Sequence, residues 1–106
     1  MDKIEKWIEK GNVDKLQKIL DKGSREEKAE VFEALGKIGN EHAINLLIAN
    51  LRNADQEIKK GCVIALGETG ENRAMEFLRK ITRDEPGSAF ADLAREAMHK
   101  LAGSKD

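Results

Sequence analysis

Cysteine occurs once in this chain of 106 residues, which excludes an internal disulfide and suits a reducing cytosol. An excess of charge of one sign is missing as well. Nineteen Lys and Arg stand against 20 Asp and Glu, a formal net charge of -1, so a global polyanion-binding role has no electrostatic basis. No apolar run approaches the ~20 residues of a membrane span. The opening Met1-Asp2-Lys3-Ile4-Glu5-Lys6 lacks the apolar core of a secretory signal. A cytoplasmic protein without membrane partners is therefore expected. One Cys and two His that lie far apart in the chain cannot build a tetrahedral zinc set, and no acidic spacing resembles a calcium loop. No metal and no cofactor is expected. The single proline sits in Glu85-Pro86-Gly87-Ser88, the clearest loop. Strand-like alternation is absent.

What is there is helical periodicity. Apolar residues recur three and four apart almost throughout, and glycines act as stops. Seven helices are expected. The first runs from about Asp2 to Lys10 with Ile4, Trp7 and Ile8 inward, and the second from Asn12 to Lys22 with Leu16, Ile19 and Leu20 inward. Ser24-Arg25-Glu26-Glu27 is a Ser-x-x-Glu capping box that opens the third, which stops at Gly39. Asn40 caps the fourth, with Ala43, Leu47 and Leu51 inward. Asp55 caps the fifth, with Ile58, Cys62, Ala65 and Leu66 inward, and Gly70 ends it. The sixth covers about Asn72 to Arg83, and the seventh Ala89 to Leu101. Connections of two to six residues make consecutive helices antiparallel neighbours.

The chain also repeats itself. Ala34-Leu35-Gly36-Lys37-Ile38-Gly39-Asn40-Glu41 recurs as Ala65-Leu66-Gly67-Glu68-Thr69-Gly70-Glu71-Asn72, an offset of 31 residues. Ala43 then matches Ala74, and Leu47 matches Leu78. Ile58, Cys62, Val63 and Leu66 map onto Leu93, Ala97, Met98 and Leu101 at an offset of 35, the extra residues falling in the Pro86 loop. Such a period marks an all-α solenoid, whose units bury their apolar faces only by stacking. The units are roughly 1–23, 24–53, 54–84 and 85–103, with irregular ends that look like capping units.

The Ala-Leu-Gly-x-x-Gly element followed by a helix with Ala and Leu inward resembles HEAT-like repeats of the phycobilisome-lyase type, over roughly Ser24 to Gly103. The longer Gly-containing loop before the last helix is similar to the C-terminal cap of small archaeal proteins of that class. Where that family often has Val-Arg at the start of the second helix, this chain reads Glu27-Lys28, Ile58-Lys59 and, in the last unit, Leu93-Ala94. The resemblance implies that helices one, three, five and seven line a concave face. On it the outward acids, among them Asp2, Glu5, Glu26, Glu30, Glu33, Glu57 and Glu68, outnumber the bases Arg25, Lys37, Lys60 and Arg95. The convex helices carry Lys15, Lys18, Lys22, Arg52, Arg73, Arg79, Lys80 and Arg83.

Sorted charges of this kind either solvate the fold or steer a partner of opposite sign. The first functional expectation is a non-enzymatic protein–protein interaction scaffold whose acidic concave face docks a basic or amphipathic protein or peptide. The candidate partner-binding residues are Glu26, Glu30, Glu33, Glu57, Lys60, Ile64, Glu68, Arg95 and His99. Ala29, Gly61 and Ile64 form a low apolar floor between the charges, unless Ile64 is covered by a neighbouring helix. Trp7 belongs to the apolar stripe of helix one or anchors a partner at the open end. Nucleic-acid binding through the basic convex helices is the alternative, with Trp7 the one large stacking plane outside the expected core. The family resemblance adds a bilin-lyase-like component as a third.

Catalysis has little to build on. Cys62 occupies the inward position that Val31 and Ala97 hold in other units, so a buried, inert thiol is expected. Glu30 and Glu33 stand one turn apart as a possible carboxylate pair, but without an apolar pocket to raise a pKa they read as solvated. Gly36-Lys37-Ile38-Gly39 closes a helix, whereas phosphate loops open one.

Overall fold

The computed structural model describes residues 2–103. Within them the chain forms α1 (Lys3–Lys10), α2 (Val13–Lys22), α3 (Arg25–Ile38), α4 (Glu41–Ala49), a 3₁₀ turn (Asn50–Arg52), α5 (Gln56–Glu68), α6 (Arg73–Asp84) and α7 (Ala89–Gly103), with no strand among the described residues. This is the all-α solenoid that the periodicity and the repeat predict.

Local chemistry sets the helix starts. Asp2 and Ser24 each close a capping box, with Glu5 and Glu27 returning the bond to the cap residue's N–H. The Ser24 bonds hold the Glu27 carboxyl below its usual range. Asn40 accepts from the Ala43 N–H at 2.8 Å, and Asp55 from the N–H groups of Glu57 and Ile58. Ser88, expected only as loop, accepts from the Ala91 N–H at 3.0 Å and so caps α7. The helix ends are less uniform. Gly39 takes the left-handed conformation (φ 55°) directly after α3, as expected. After α5 the cap is Thr69 in the right-handed region, its hydroxyl donating to the Leu66 carbonyl at 2.7 Å. The left-handed residue, Gly70 (φ 71°), comes one position later. Helix α4 also stops earlier than expected. Its C-terminal turn tightens into the 3₁₀ segment, which leaves Leu51 half-buried while Ile44 and Leu46 join the core.

Consecutive helices form antiparallel pairs that stack in two layers, α1–α3–α5–α7 and α2–α4–α6. The thinnest dimension, 19 Å, is two helices deep. Successive odd helices pack closely, whereas successive even helices touch sparsely. An array with one tighter layer curves toward it, so the odd layer is the concave side. Missing side chains make the closeness possible. A methyl built on Gly36 would lie 2.9 Å from Glu68 Cβ, and one built on Gly67 would lie 2.8 Å from both Cα and Cβ of Ala97.

The core runs through the middle of the sandwich and includes Ile8, Leu16, Leu20, Val31, Leu35, Leu47, Cys62, Val63, Leu66, Leu78 and Leu101, each fully buried or nearly so. Ile4 and Trp7 at one end, and Leu93 and Met98 at the other, are only half-buried. Lys3 and Lys15 lie over the Trp7 ring at 5.8 and 5.2 Å. Polar links reinforce both ends. Gln17 and Asn50 exchange two amide hydrogen bonds (2.8 and 3.0 Å), and buried Asn50 also donates to the Leu46 carbonyl at 2.9 Å. Lys59 donates to both carboxylate oxygens of Glu85 (2.8 and 2.9 Å) and sits 4.4 Å from the Phe90 ring centroid. That lysine occupies a position where the resembling family carries arginine.

The close contact at Gly67 makes a direct test. Gly67→Ala should destabilise by about 1–3 kcal/mol, the usual cost of forcing a methyl into a filled contact. Gly103→Ala, with no neighbour within 4 Å, should be neutral or slightly stabilising. Urea unfolding midpoints of the two variants check both.

Candidate functional site

The outer surface of the odd layer is grooved where α3 and α5 lie side by side. The two run parallel and in register: Arg25 and Lys28 stand across from Glu57 and Lys60, and Lys37 across from Glu68. Two hollows, of about 430 and 680 Å³, share Ala29, Phe32, Gly61 and Ile64 and form one continuous groove. Those four residues are its floor. The Phe32 ring fills the space above Gly61, where a methyl would come within 2.4 Å of Cε2. Ile64 beside it is 43% exposed, the most open of the large apolar side chains described, which settles the question of whether a neighbouring helix covers it.

The charges around the floor are not spread evenly. At the end formed by the N-terminal turns of α3 and α5 stand Arg25, Lys28, Asp55, Glu57 and Lys60. Asp55 is engaged in capping α5. At the opposite end stand Glu33, Lys37 and Glu68. A hollow of about 160 Å³ between α1 and α3 adjoins that end and adds Asp2, Glu5 and Glu30. Acid thus dominates the half of the face near the C-terminal end of α3, while the other half is balanced.

The residues expected from sequence fall into three groups. Glu33, Glu57, Lys60, Ile64 and Glu68 line the α3–α5 groove. Glu30 turns with Glu33 toward α1. Glu26, Arg95 and His99 are exposed but outside the groove, and Arg95 is paired with Asp92 at 2.8 Å. Glu68 is committed in part, since Lys100 of α7 donates to it across the layer. Sequence reasoning missed Phe32 and Lys28 as lining residues. The available signal was Gly61, a missing side chain facing the preceding unit and open to a large one from it.

Elsewhere the surface offers less. On the even layer Arg79 pairs with Glu76 (2.7 Å), Lys80 with Asp84 (2.9 Å), and Arg73 donates to Asn45. Lys80 holds the Asp84 carboxyl below its usual range. His42, exposed, packs its ring against Gly11. Among the described residues no group of three or more His, Cys, Asp or Glu is placed to hold a metal ion, and no helix is long and apolar enough to cross a membrane.

The sequence model for HEAT repeats matches residues 13–99, and the chain belongs to that family. Neither a curated protein nor a solved structure matches it.

Cys62 lies on the inner side of α5, fully buried, and desolvation pushes its thiol up to about 12. The thiolate needed for nucleophilic or metal chemistry is thus suppressed at neutral pH. Native protein should react with a thiol reagent only as fast as it opens, and labelling kinetics in and out of denaturant check this. The sign of the pH effect follows. Below about pH 9 the thiol is neutral in both folded and unfolded chains. Between about 9 and 12 only the unfolded chain ionises, so stability falls as pH rises. Cys62→Ala should flatten that fall, read as the melting temperature against pH for the two proteins.

Proposed function

We propose that this chain is a non-enzymatic protein-interaction scaffold that presents its α1–α3–α5–α7 face to a basic or amphipathic segment of a protein partner. HEAT repeats commonly serve as such scaffolds. The observation that carries the reading is the uncovered floor at Phe32 and Ile64, with a rim of charges most of which make no ion pair among the described residues. The side chains of Arg25, Lys28, Glu33, Glu57 and Lys60 make no ion pair among the described residues, whereas several charges on α6 and α7 do. A recessed apolar floor with a polar rim is the usual anatomy of a protein-docking surface.

Nucleic-acid binding draws less support, because the bases of the even layer share their surface with acids and two are paired to them. The likeness to phycobilisome-lyase-type repeats rests on the two Ala-Leu-Gly-x-x-Gly elements, and that to small archaeal proteins of the class on the longer Gly-containing loop before the last helix. A bilin-lyase-like role has no further support in the site. Four units at 1–23, 24–53, 54–84 and 85–103, the outer two acting as caps, and a cytoplasmic location suited to the buried thiol complete the proposal.

The triple variant Glu30→Lys, Glu33→Lys, Glu57→Lys tests it. These side chains are exposed, so the variant should keep its helical circular dichroism and lose little stability. Proteins retained by the wild-type chain should be lost by the variant, and association should slow as salt rises. Retention of the same proteins by both would place the site elsewhere, on the even layer or at the Trp7 end.

A further inference from the structure

The α3–α5 groove has a direction. Its two walls are parallel helices, so their dipoles add instead of cancelling. The positive ends lie beside Arg25, Lys28 and Lys60, with Asp55 and Glu57 among them, and the negative ends beside Glu33 and Glu68, with Lys37 between them, so three bases face two acids at one end and one base two acids at the other. The helix dipoles and this small imbalance of charge therefore point the same way along a single apolar floor.

The walls also restrict what form an occupant takes. Both are helices whose interior backbone groups are already paired, so they offer no ladder to an extended chain. An extended segment would depend on water or on the rim side chains to satisfy its own N–H and C=O groups. A helix carries those bonds within itself. Walls of 13 and 14 residues give a groove about 20 Å long, enough for roughly four turns of helix.

We propose that the groove takes an amphipathic helix of a partner protein, lying antiparallel to α3 and α5, with its apolar stripe on Ala29, Phe32, Gly61 and Ile64. Its basic residues occupy the N-terminal half, over Glu33 and Glu68, and its acidic residues the C-terminal half, near Arg25, Lys28 and Lys60. This rests on the scaffold reading and adds the form, direction and charge order of the segment. A second copy of the chain is a poorer fit, since two recessed floors brought face to face leave each other unfilled.

Two end-capped peptides of about 16 residues test it, identical in composition and in a leucine stripe of helical spacing. One carries Lys in its first half and Glu in its second; the other has the halves exchanged. The exchanged peptide is the better helix former in isolation, because Glu then sits at the helix N-terminus, so intrinsic helicity cannot produce the expected preference. The Lys-first peptide should bind at least about fivefold tighter by fluorescence anisotropy at low salt. Amide shifts in labelled protein should centre on Ala29, Phe32, Gly61 and Ile64. Ile64→Asp should lose both peptides, and the charge exchange Glu33→Lys with Lys60→Glu should narrow or invert the preference.

Equal affinities, a preference for the exchanged peptide, or no saturable binding up to about 1 mM would overturn the proposal. So would equal binding of a Lys-first peptide broken by proline at its centre. Sedimentation showing a dimer that Ile64→Asp dissolves would assign the groove to a second copy and likewise overturn it. Peptide binding without charge order, or shifts elsewhere on the odd layer, sinks this inference and leaves the scaffold reading standing. A set of retained proteins unchanged by the triple Glu→Lys variant sinks the scaffold reading itself.

Discussion

The close approach of successive odd helices is the constraint on which the rest depends. Gly36 lies against Ala65 and Glu68, and Gly67 against Ala97, at separations that leave no room for a methyl group. The even layer has no comparable closeness, and the difference in spacing curves the array. Glycine inside a helix costs about 1 kcal/mol relative to alanine, so each such position spends intrinsic helix stability on packing. Gly61 shows the same device put to a second use. The space its side chain leaves is taken by Phe32 of the neighbouring unit, which levels the groove floor and leaves Ile64 standing beside it.

Burial is less complete at the first and last helices described. Trp7 and Met98 remain half-buried there, while Leu35 and Leu66 in the middle are wholly enclosed. Polar links add to the apolar contacts toward both ends. Gln17 and Asn50 tie α2 to the 3₁₀ turn, and Asn40 both caps α4 and donates weakly to the Ile8 carbonyl at 3.4 Å. At the other end Lys59, with only 16% of its side chain exposed, joins the carboxylate of Glu85 to the Phe90 ring. A half-buried, bidentate pair of this sort is worth more than a solvated one, and it fastens the Pro86 loop against α5.

Most of the fold was legible because its determinants are local. Capping at Ser24, Asn40 and Asp55 needs only residues within one turn, and the repeat places Cys62 with Val31 and Ala97 inside the seam. The misses depend on contacts between units. Thr69 rather than Gly70 caps α5 because the Thr69 hydroxyl finds the Leu66 carbonyl, and the repeat's Gly39 has Ile38, without a hydroxyl, before it. Phe32 belongs to the groove through Gly61, twenty-nine residues away. The distribution of charge along the odd face was not legible either. Counting outward positions helix by helix records how many charges share a face, not where along the helices they fall. Parallel stacking gathers Glu33, Lys37 and Glu68 at one end of the groove and Arg25, Lys28, Asp55, Glu57 and Lys60 at the other, which gives a face of mixed charge two unlike ends.

The groove divides its work between apolar and charged parts. Full burial of an isoleucine side chain is worth about 1.5–3 kcal/mol, and Ile64, 43% exposed, has realised only part of that in the free chain. The remainder is available to whatever covers it, together with the outer face of Phe32. The rim contributes differently. Exposed charges such as Glu33 and Lys60 add little to folding when unpaired and little to affinity when paired across solvent. Their effect lies in the field they set up, which speeds encounter with a segment of matching charge order and penalises one docked the wrong way round. A floor without the rim would take any apolar ridge of the right width, and a rim without the floor would hold nothing for long. On the reading proposed above, the two together select a segment by its direction.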